Sequence, residues 1–356
     1  MKFAFFPITS RTIDQAQMFI EFKDLSVNDV VYLSYRGSGV IGRDLSFVKN
    51  GMYSGGEILA PTEDNLHGIT RLLILHDDRM VDLCDFEMLI QYAVQHGIDI
   101  CYCFNDWDKN ASIYKVIMER NNISPINKEE RKVEISADYH LSGNSAKVHP
   151  TTVLAVGGVV EEADTFAVFS KIIRLLKNYG VKVSAIGKPG ISEYMGFHTY
   201  HKSFFAKDLD EEDKVLRLNH YIANIIEAEH PQVLIIQMPD SIIRLSQAVP
   251  NGYGIKSFML AQSTRLHGLI CCVPKGYLNE GLSKELNSIF IRQFGCRIID
   301  FHSSNYTLDY QAINGDNTYN GYYVPIDEED AHNLLTNNNI YSLVVRILNY
   351  LRLRPE

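Results

Sequence analysis

Short apolar runs of four to six residues recur along the chain, separated by longer amphipathic stretches. A strand buried on both faces reads as a continuous apolar run, because it has no solvent face to mark with polar residues. Alternation of such runs with helical patterns predicts parallel strands covered by helices. The expectation is therefore an α/β protein of two doubly wound, Rossmann-like domains with mainly parallel sheets.

In the first half, strands are expected at 2–6, 29–35, 57–59, 72–76 and 99–104. Helices are expected at 12–22, 85–96 and 109–121. The stretch NNISPINKEERKVEISADYHLSGNSAKVHP is polar and rich in Ser, Asn, Lys and Glu, which reads as a connection with a short strand at 132–135. We place domain one at 1–125, the linker at 126–150 and domain two at 151–356. The second half restarts the rhythm with strands at 152–156, 181–185, 233–237, 269–273 and 297–301. Its helices are expected at 164–177, 211–229, 282–294 and 327–353.

The segment TVLAVGGVVEEADTFAVFSKII sets a strand, a glycine-bearing turn and a helix in succession, the setting a phosphate loop requires. Gly157 and Gly158 open the turn. With Gly158 as the first glycine of the pattern, Ala163 stands where a second glycine wraps the phosphates. Asp164 stands where a lysine neutralises them, and Thr165 keeps the position of a Mg²⁺ ligand. Glu161 and Glu162 add negative charge to the same loop. The second domain thus reads as a degenerate P-loop-NTPase-like fold. NTPase activity is not expected, and the plain alternative is a βα turn in which Asp164 caps the helix. A carboxylate-rich loop would suit a cationic group, such as a basic peptide segment.

A second strand-turn, VLIIQMPDSI, has Gln237 where an aspartate would hold Mg²⁺, then Pro239 and Asp240. Asp240 could reach a metal from that loop. In the first domain RGSGVIGRD spaces Gly37, Gly39 and Gly42 as G-x-G-x-x-G, but after the second strand instead of the first. Arg36, Arg43 and Asp44 are its polar candidates, because ligands of α/β sheets bind at the carboxyl edge of the strands.

Other constellations read as structure. His198 and His201 fall in GFHTYHKSFF, read as a loop, with no glutamate in a zincin pattern. Cys84, Cys101, Cys103, Cys271, Cys272 and Cys296 form no C-x-x-C clip and are read mostly as reduced core thiols. There is no G-x-S-x-G elbow and no sequence sign of a Cys/His pair. Tyr306, Tyr310, Tyr319, Tyr322 and Tyr323 fall in a Tyr-, Asn- and Gly-rich stretch, read either as a recognition surface or as a loop packed by its own rings. The formal charge of −9 disfavours nucleic-acid and anionic-lipid partners. No secretory signal or apolar membrane span is visible, so a cytoplasmic protein is expected. No metal or cofactor is called for.

The MKFAFFPITS opening, the YRGSGVIGRD loop, the VLIIQMPDSI strand-turn and the closing LICCVPKGYLNEGLSKELNSIFIRQFGCRIIDFHSS resemble a family of clostridial-type peptide maturation system proteins. These accompany radical-SAM enzymes in clusters that make ribosomal peptide products. That family's strand-turn looks like Val-Pro-Gly-Gly, where this chain has Met-Pro-Asp-Ser. The second half also resembles the nitrogenase-iron-protein and MinD-like class of P-loop proteins. The resemblance implies an accessory role in peptide maturation; with the charge-reversed loop and no visible nucleophile, the expectation is a non-enzymatic protein that binds a precursor peptide or a maturation enzyme. A nucleotide-binding enzyme or sensor using the 37–44 loop or a residual phosphate loop is the alternative. Since MinD-like folds often dimerise, a homodimer is a third expectation.

Overall fold

A computed structural model of the protein describes residues 1–9, 12–49, 56–75, 83–103, 111–121, 146–160, 163–244, 254–308, 323–325 and 337–352. The chain divides into two units. Unit 1 comprises Met1–Arg131 with Pro189–Gly196, and unit 2 comprises Lys132–Lys188 with Phe197–Glu356. The expected strand at 132–135 and most of the expected linker lie outside the described residues.

Unit 1 alternates strands and helices: β1 Phe3–Phe6, α1 Ile13–Phe22, β2 Val30–Leu33, α2 Leu45–Lys49, β3 Ile58–Leu59, α3 Glu63–Leu66, β4 Arg71–Ile74, α4 Leu83–Gln95, β5 Asp99–Tyr102 and α5 Ala111–Arg120. The sheet order is β3-β2-β1-β4-β5, with every pairing parallel. All four residues of β1 and of β2 are buried, which is what their unbroken apolar sequences predict. Helix α4 meets the sheet with Phe86, Leu89, Ile90 and Ala93, the i, i+3, i+4, i+7 spacing of one helical face. On the other face Phe19 of α1 packs against Phe3 and Phe5, with ring centroids 5.9 and 5.7 Å apart.

Unit 1 also takes in α7 (Ile191–Tyr194) from the second half of the chain. The Tyr194 hydroxyl accepts from the Tyr102 amide at 2.9 Å and donates to the Tyr102 carbonyl at 3.2 Å. One side chain therefore satisfies both backbone groups of an edge-strand residue, groups that would otherwise be open to pairing with another chain.

Unit 2 contains β6 Thr152–Gly158, α6 Thr165–Asn178, β7 Val183–Gly187, β8 His198–Thr199, α8 Glu211–Glu229, β9 Val233–Gln237, α9 Ile255–Ser263, β10 Gly268–Lys275, α10 Glu280–Phe294, β11 Ile298–Leu308, β12 Tyr323–Pro325 and a last helix, α11, at Asn337–Arg352. Its sheet runs β12-β11-β10-β6-β9-β7-β8, parallel throughout except for β12 against β11. Strand β6 lies at the centre, with the VLIIQ strand β9 on one side and β10 on the other. This is the placement a phosphate-loop strand and its partner require, so the α/β expectation holds for both halves. Helix α6 buries Thr165, Val168, Phe169, Ile172, Ile173 and Leu176, while Lys177 faces water. Asp210 caps α8 through a 2.8 Å bond to the Asp213 amide, and Asn279 caps α10 through a 2.9 Å bond to the Leu282 amide.

Several boundaries differ from the sequence reading. His198 belongs to strand β8 and not to a loop, since Ile186 of β7 pairs with it. Helix α9 has no counterpart among the expected elements. The Tyr-rich stretch is partly sheet: Tyr306 lies on β11 opposite Pro325, and Tyr323 lies on β12 opposite Leu308. Tyr310, Tyr319 and Tyr322 lie outside the described residues.

Candidate functional site

The carboxyl ends of β6, β9, β10 and β11 meet where the strand order changes direction, the place at which open α/β sheets bind ligands. Parallel register sets Gly157 beside Cys271, Gly158 beside Cys272, and Cys272 beside His302.

The turn from β6 to α6 follows the central strand, where a phosphate loop would stand, but its described residues do not form such a loop's interior. Val159, Val160 and Ala163 are fully buried. The Val159 amide donates to the Cys272 carbonyl at 3.0 Å, and the Ala163 amide to the Val160 carbonyl at 3.4 Å. A phosphate cradle needs such amides turned toward the ligand. Gly157 and Gly158 serve close packing. A Cβ on Gly157 would lie 2.6 Å from Met238 Cγ, and one on Gly158 only 2.3 Å from the Val160 carbonyl oxygen.

Asp164 departs from the helix-cap expectation. It occupies the N-cap position of α6, yet its side chain makes no capping bond. Its backbone is left-handed, with φ of 56°. Normal N-caps are extended, and it is that geometry which returns the carboxylate to the N2 or N3 amide. Here the buried carboxylate turns toward β11, and Oδ2 lies 3.8 Å from His302 Nε2. Thr165 is buried as well. Glu161 and Glu162 lie outside the described residues.

Cys272 and His302 are register neighbours on adjacent strands, so their side chains leave the sheet on the same face. Burial pushes the Cys272 thiol well above its ordinary pKa, and the charges of Cys271 and Asp164 push it further. A thiol held protonated and shut off from water is a poor nucleophile. Asp164, Cys272 and His302 thus form a buried polar cluster. Among the described residues no group of His, Cys, Asp or Glu could hold a metal ion. This grouping escaped sequence reading because parallel register joins residues 30 or more positions apart, and no local spacing announces it.

At the second strand-turn, Gln237 and Asp240 are spent on the fold. Gln237 Oε1 accepts from the Lys188 amide at 3.0 Å, bridging β9 to β7. Its carbonyl accepts from the Tyr200 hydroxyl at 2.6 Å. Pro239 is buried between them in sequence. Asp240 Oδ1 accepts from the Ser257 amide at 2.9 Å and the Ser257 hydroxyl at 2.5 Å, while Oδ2 accepts from the Lys256 amide at 3.1 Å. The carboxylate therefore caps α9 from a distant loop, and its lone pairs are directed at that helix and away from any metal.

Burial raises the Asp240 pKa, although its hydrogen bonds and Lys188 pull the other way. A folded pKa above the unfolded value gives a stability contribution that is full below the unfolded pKa and is lost as the pH rises through the folded one. Asp240→Ala is expected to cost about 2 kcal/mol by stranding Ser257 and uncapping α9. Asp240→Asn, which keeps one acceptor and no charge, costs less, and its deficit relative to the natural protein shrinks from about pH 4 to pH 7. Urea unfolding at both pH values measures this.

The first-domain loop follows β2 and is mostly exposed. Gly37, Gly39 and Gly42 have φ of 85°, 76° and 76°, with open space where a Cβ would stand. They shape turns and do not press against a ligand. The Arg36 amide donates to Asp85 Oδ2 at 2.6 Å, and its Nε lies 3.4 Å from Asp85 Oδ1. Asp85, in the first turn of α4, is a partner the sequence reading missed. Arg43 stacks its guanidinium on Phe47, 4.9 Å from the ring centroid. Asp44 Oδ1 accepts from the Ser46 amide at 2.8 Å.

The two histidines of the GFHTYHKSFF segment go separate ways. His198 Nε2 lies 2.7 Å from Glu229 Oε1, and Ser184 donates to the other oxygen of Glu229. The carboxylate stands between serine and histidine, which is the wrong order for activating a serine. His201 Nδ1 accepts from the Ser203 amide and caps a short 3₁₀ turn.

No family model matches the chain, and no curated protein matches it. Among solved structures, the chain is similar to the crystal structure of a DUF1611 family protein from Anabaena variabilis ATCC 29413. The TM-score is 0.53 at 10% sequence identity, and the likeness covers 85% of this chain and 87% of that one. A likeness at this identity bears on the fold alone, and it spans both halves.

Proposed function

We propose that the protein is a non-enzymatic accessory factor of ribosomal peptide maturation that binds a precursor peptide or a maturation enzyme. One observation supports the non-enzymatic half. The position of the phosphate-loop lysine holds Asp164, buried and facing His302 across 3.8 Å. The turn that would cradle phosphates is filled by Val159, Val160 and Ala163. Cys272 is held as a protonated thiol, and Asp240 is tied to α9. A triphosphate would meet a buried negative charge where it needs a cation.

The peptide half rests on the resemblance of the opening, loop and closing segments to peptide maturation system proteins. The reading includes a cytoplasmic location. None of the described helices is long and apolar enough to cross a membrane.

Two measurements test this. The purified protein should show no magnesium-dependent ATP turnover above a blank, and native mass spectrometry should show no co-purifying nucleotide. A pull-down against candidate precursor peptides should retain at least one of them. Turnover that disappears in Thr165→Ala, or a bound nucleotide, would overturn the reading in favour of a nucleotide-using enzyme or sensor.

A further inference from the structure

We propose that unit 2 has a binding groove for a carboxylate-bearing ligand at the amino end of its sheet, the end opposite the degenerate phosphate loop. Residues 146–150, α8, the end of α9 and the approach to β10 enclose a cavity of 580 Å³. That volume falls in the usual range for small-ligand sites. Its wall includes Lys147, His149, Arg265 and His267, with no aspartate or glutamate among its lining residues. In a chain of formal charge −9, a concave surface whose lining holds Lys147 and Arg265 and no acidic residue departs from the overall sign of the chain.

The wall is built. The Lys147 amide donates to Asn219 Oδ1 at 2.7 Å, and Asn219 Nδ2 donates to the carbonyls of Lys147 at 3.0 Å and Ser263 at 2.8 Å. One buried amide therefore clamps the 146–150 segment to both α8 and α9. His149 Nε2 lies 3.0 Å from Thr264 Oγ1, which fixes the far side. The Val153 amide donates to His267 Nδ1 at 2.9 Å, so the neutral ring carries its proton on Nε2 and is a donor there.

The negative end of the α9 dipole would oppose an anion, but two of its last four carbonyls are occupied. Leu260 O accepts from the Thr264 amide and the Ser263 hydroxyl, and Ser263 O from Asn219. Lys147 Nζ is shared with Glu227 at 3.3 Å. Arg265 is exposed, and among the described residues no carboxylate pairs with it. Its planar fork suits a carboxylate. Arg265 is the anchor of this site, and the proposal stands apart from the peptide-maturation reading.

Calorimetric titration of the full chain at low salt tests it with two probes, citrate as a free tricarboxylate and a hexaglutamate peptide as an acidic chain segment. At least one should bind, and Arg265→Glu should weaken that probe by about tenfold without lowering the unfolding midpoint. Lys284→Glu is the control, since it makes the same charge change on α10 outside the groove. Preference for citrate assigns a free carboxylate, and preference for the peptide assigns an acidic segment. No binding of either probe up to about 1 mM, or equal weakening by both variants, overturns the site.

Discussion

Asp164→Lys lowers the unfolding free energy by about 3–5 kcal/mol and produces no ATP turnover. The substitution restores the residue type of a working phosphate loop and should still fail. The Asp164 side chain has no solvent exposure, and His302 Nε2 faces it at 3.8 Å. An ammonium placed there would be buried without its counter-charge, beside an imidazole and the Cys272 thiol. The amides of Val159 and Ala163 would remain bonded to carbonyls, so no phosphate cradle would form around the new cation. Asp164→Asn keeps the shape and removes only the charge, and it should cost about 1–2 kcal/mol. Denaturant unfolding of both variants, with a phosphate-release assay, separates the two effects. Turnover in the lysine variant would mean that the loop can still open onto a nucleotide.

Gly158→Ala should be nearly as damaging, at about 3 kcal/mol, the upper part of the range for overpacking. The added methyl would stand 2.3 Å from the Val160 carbonyl oxygen, and that oxygen belongs to backbone in a turn held by strand β10 and by Ile242. A flexible side chain could swing away, but this carbonyl can move only with the whole turn. Gly42→Ala is the comparison. It too replaces a glycine of a candidate loop, yet the space around it is open, and only its φ of 76° resists the change. A loss of about 1 kcal/mol is expected there. Thermal unfolding of both variants distinguishes a glycine kept for proximity from one kept for conformation.

That contrast marks what the sequence made legible. The alternation of buried runs and amphipathic stretches was enough to read two parallel sheets, because period and burial are local properties. TVLAV and VLIIQ were recognisable as strands for the same reason, although Gly157 and Gly158, expected to open the turn, lie on β6. Glycine type was legible, but glycine purpose was not, since Gly157, Gly158 and Gly42 look alike until their neighbours are known. The charge at Asp164 was legible, while its left-handed backbone and its turn toward β11 were not. Cys272 was read only as a core thiol and His302 was not singled out, because only sheet register makes them neighbours. Strand β8 was too short to show a period, and α9 follows a turn whose cap, Asp240, comes from outside the helix.

The Tyr194 bond to Tyr102 has a consequence for dissection of the molecule. The first unit is discontinuous along the chain, since its edge strand β5 is closed by a residue that follows α6 and β7 of the second. A fragment ending anywhere before residue 189 would leave the amide and carbonyl of Tyr102 bare on an apolar edge, a surface prone to self-association. Covalently, the polypeptide passes between the two units three times instead of once. The pair is therefore better handled as one inseparable product than as two domains joined by a cuttable linker.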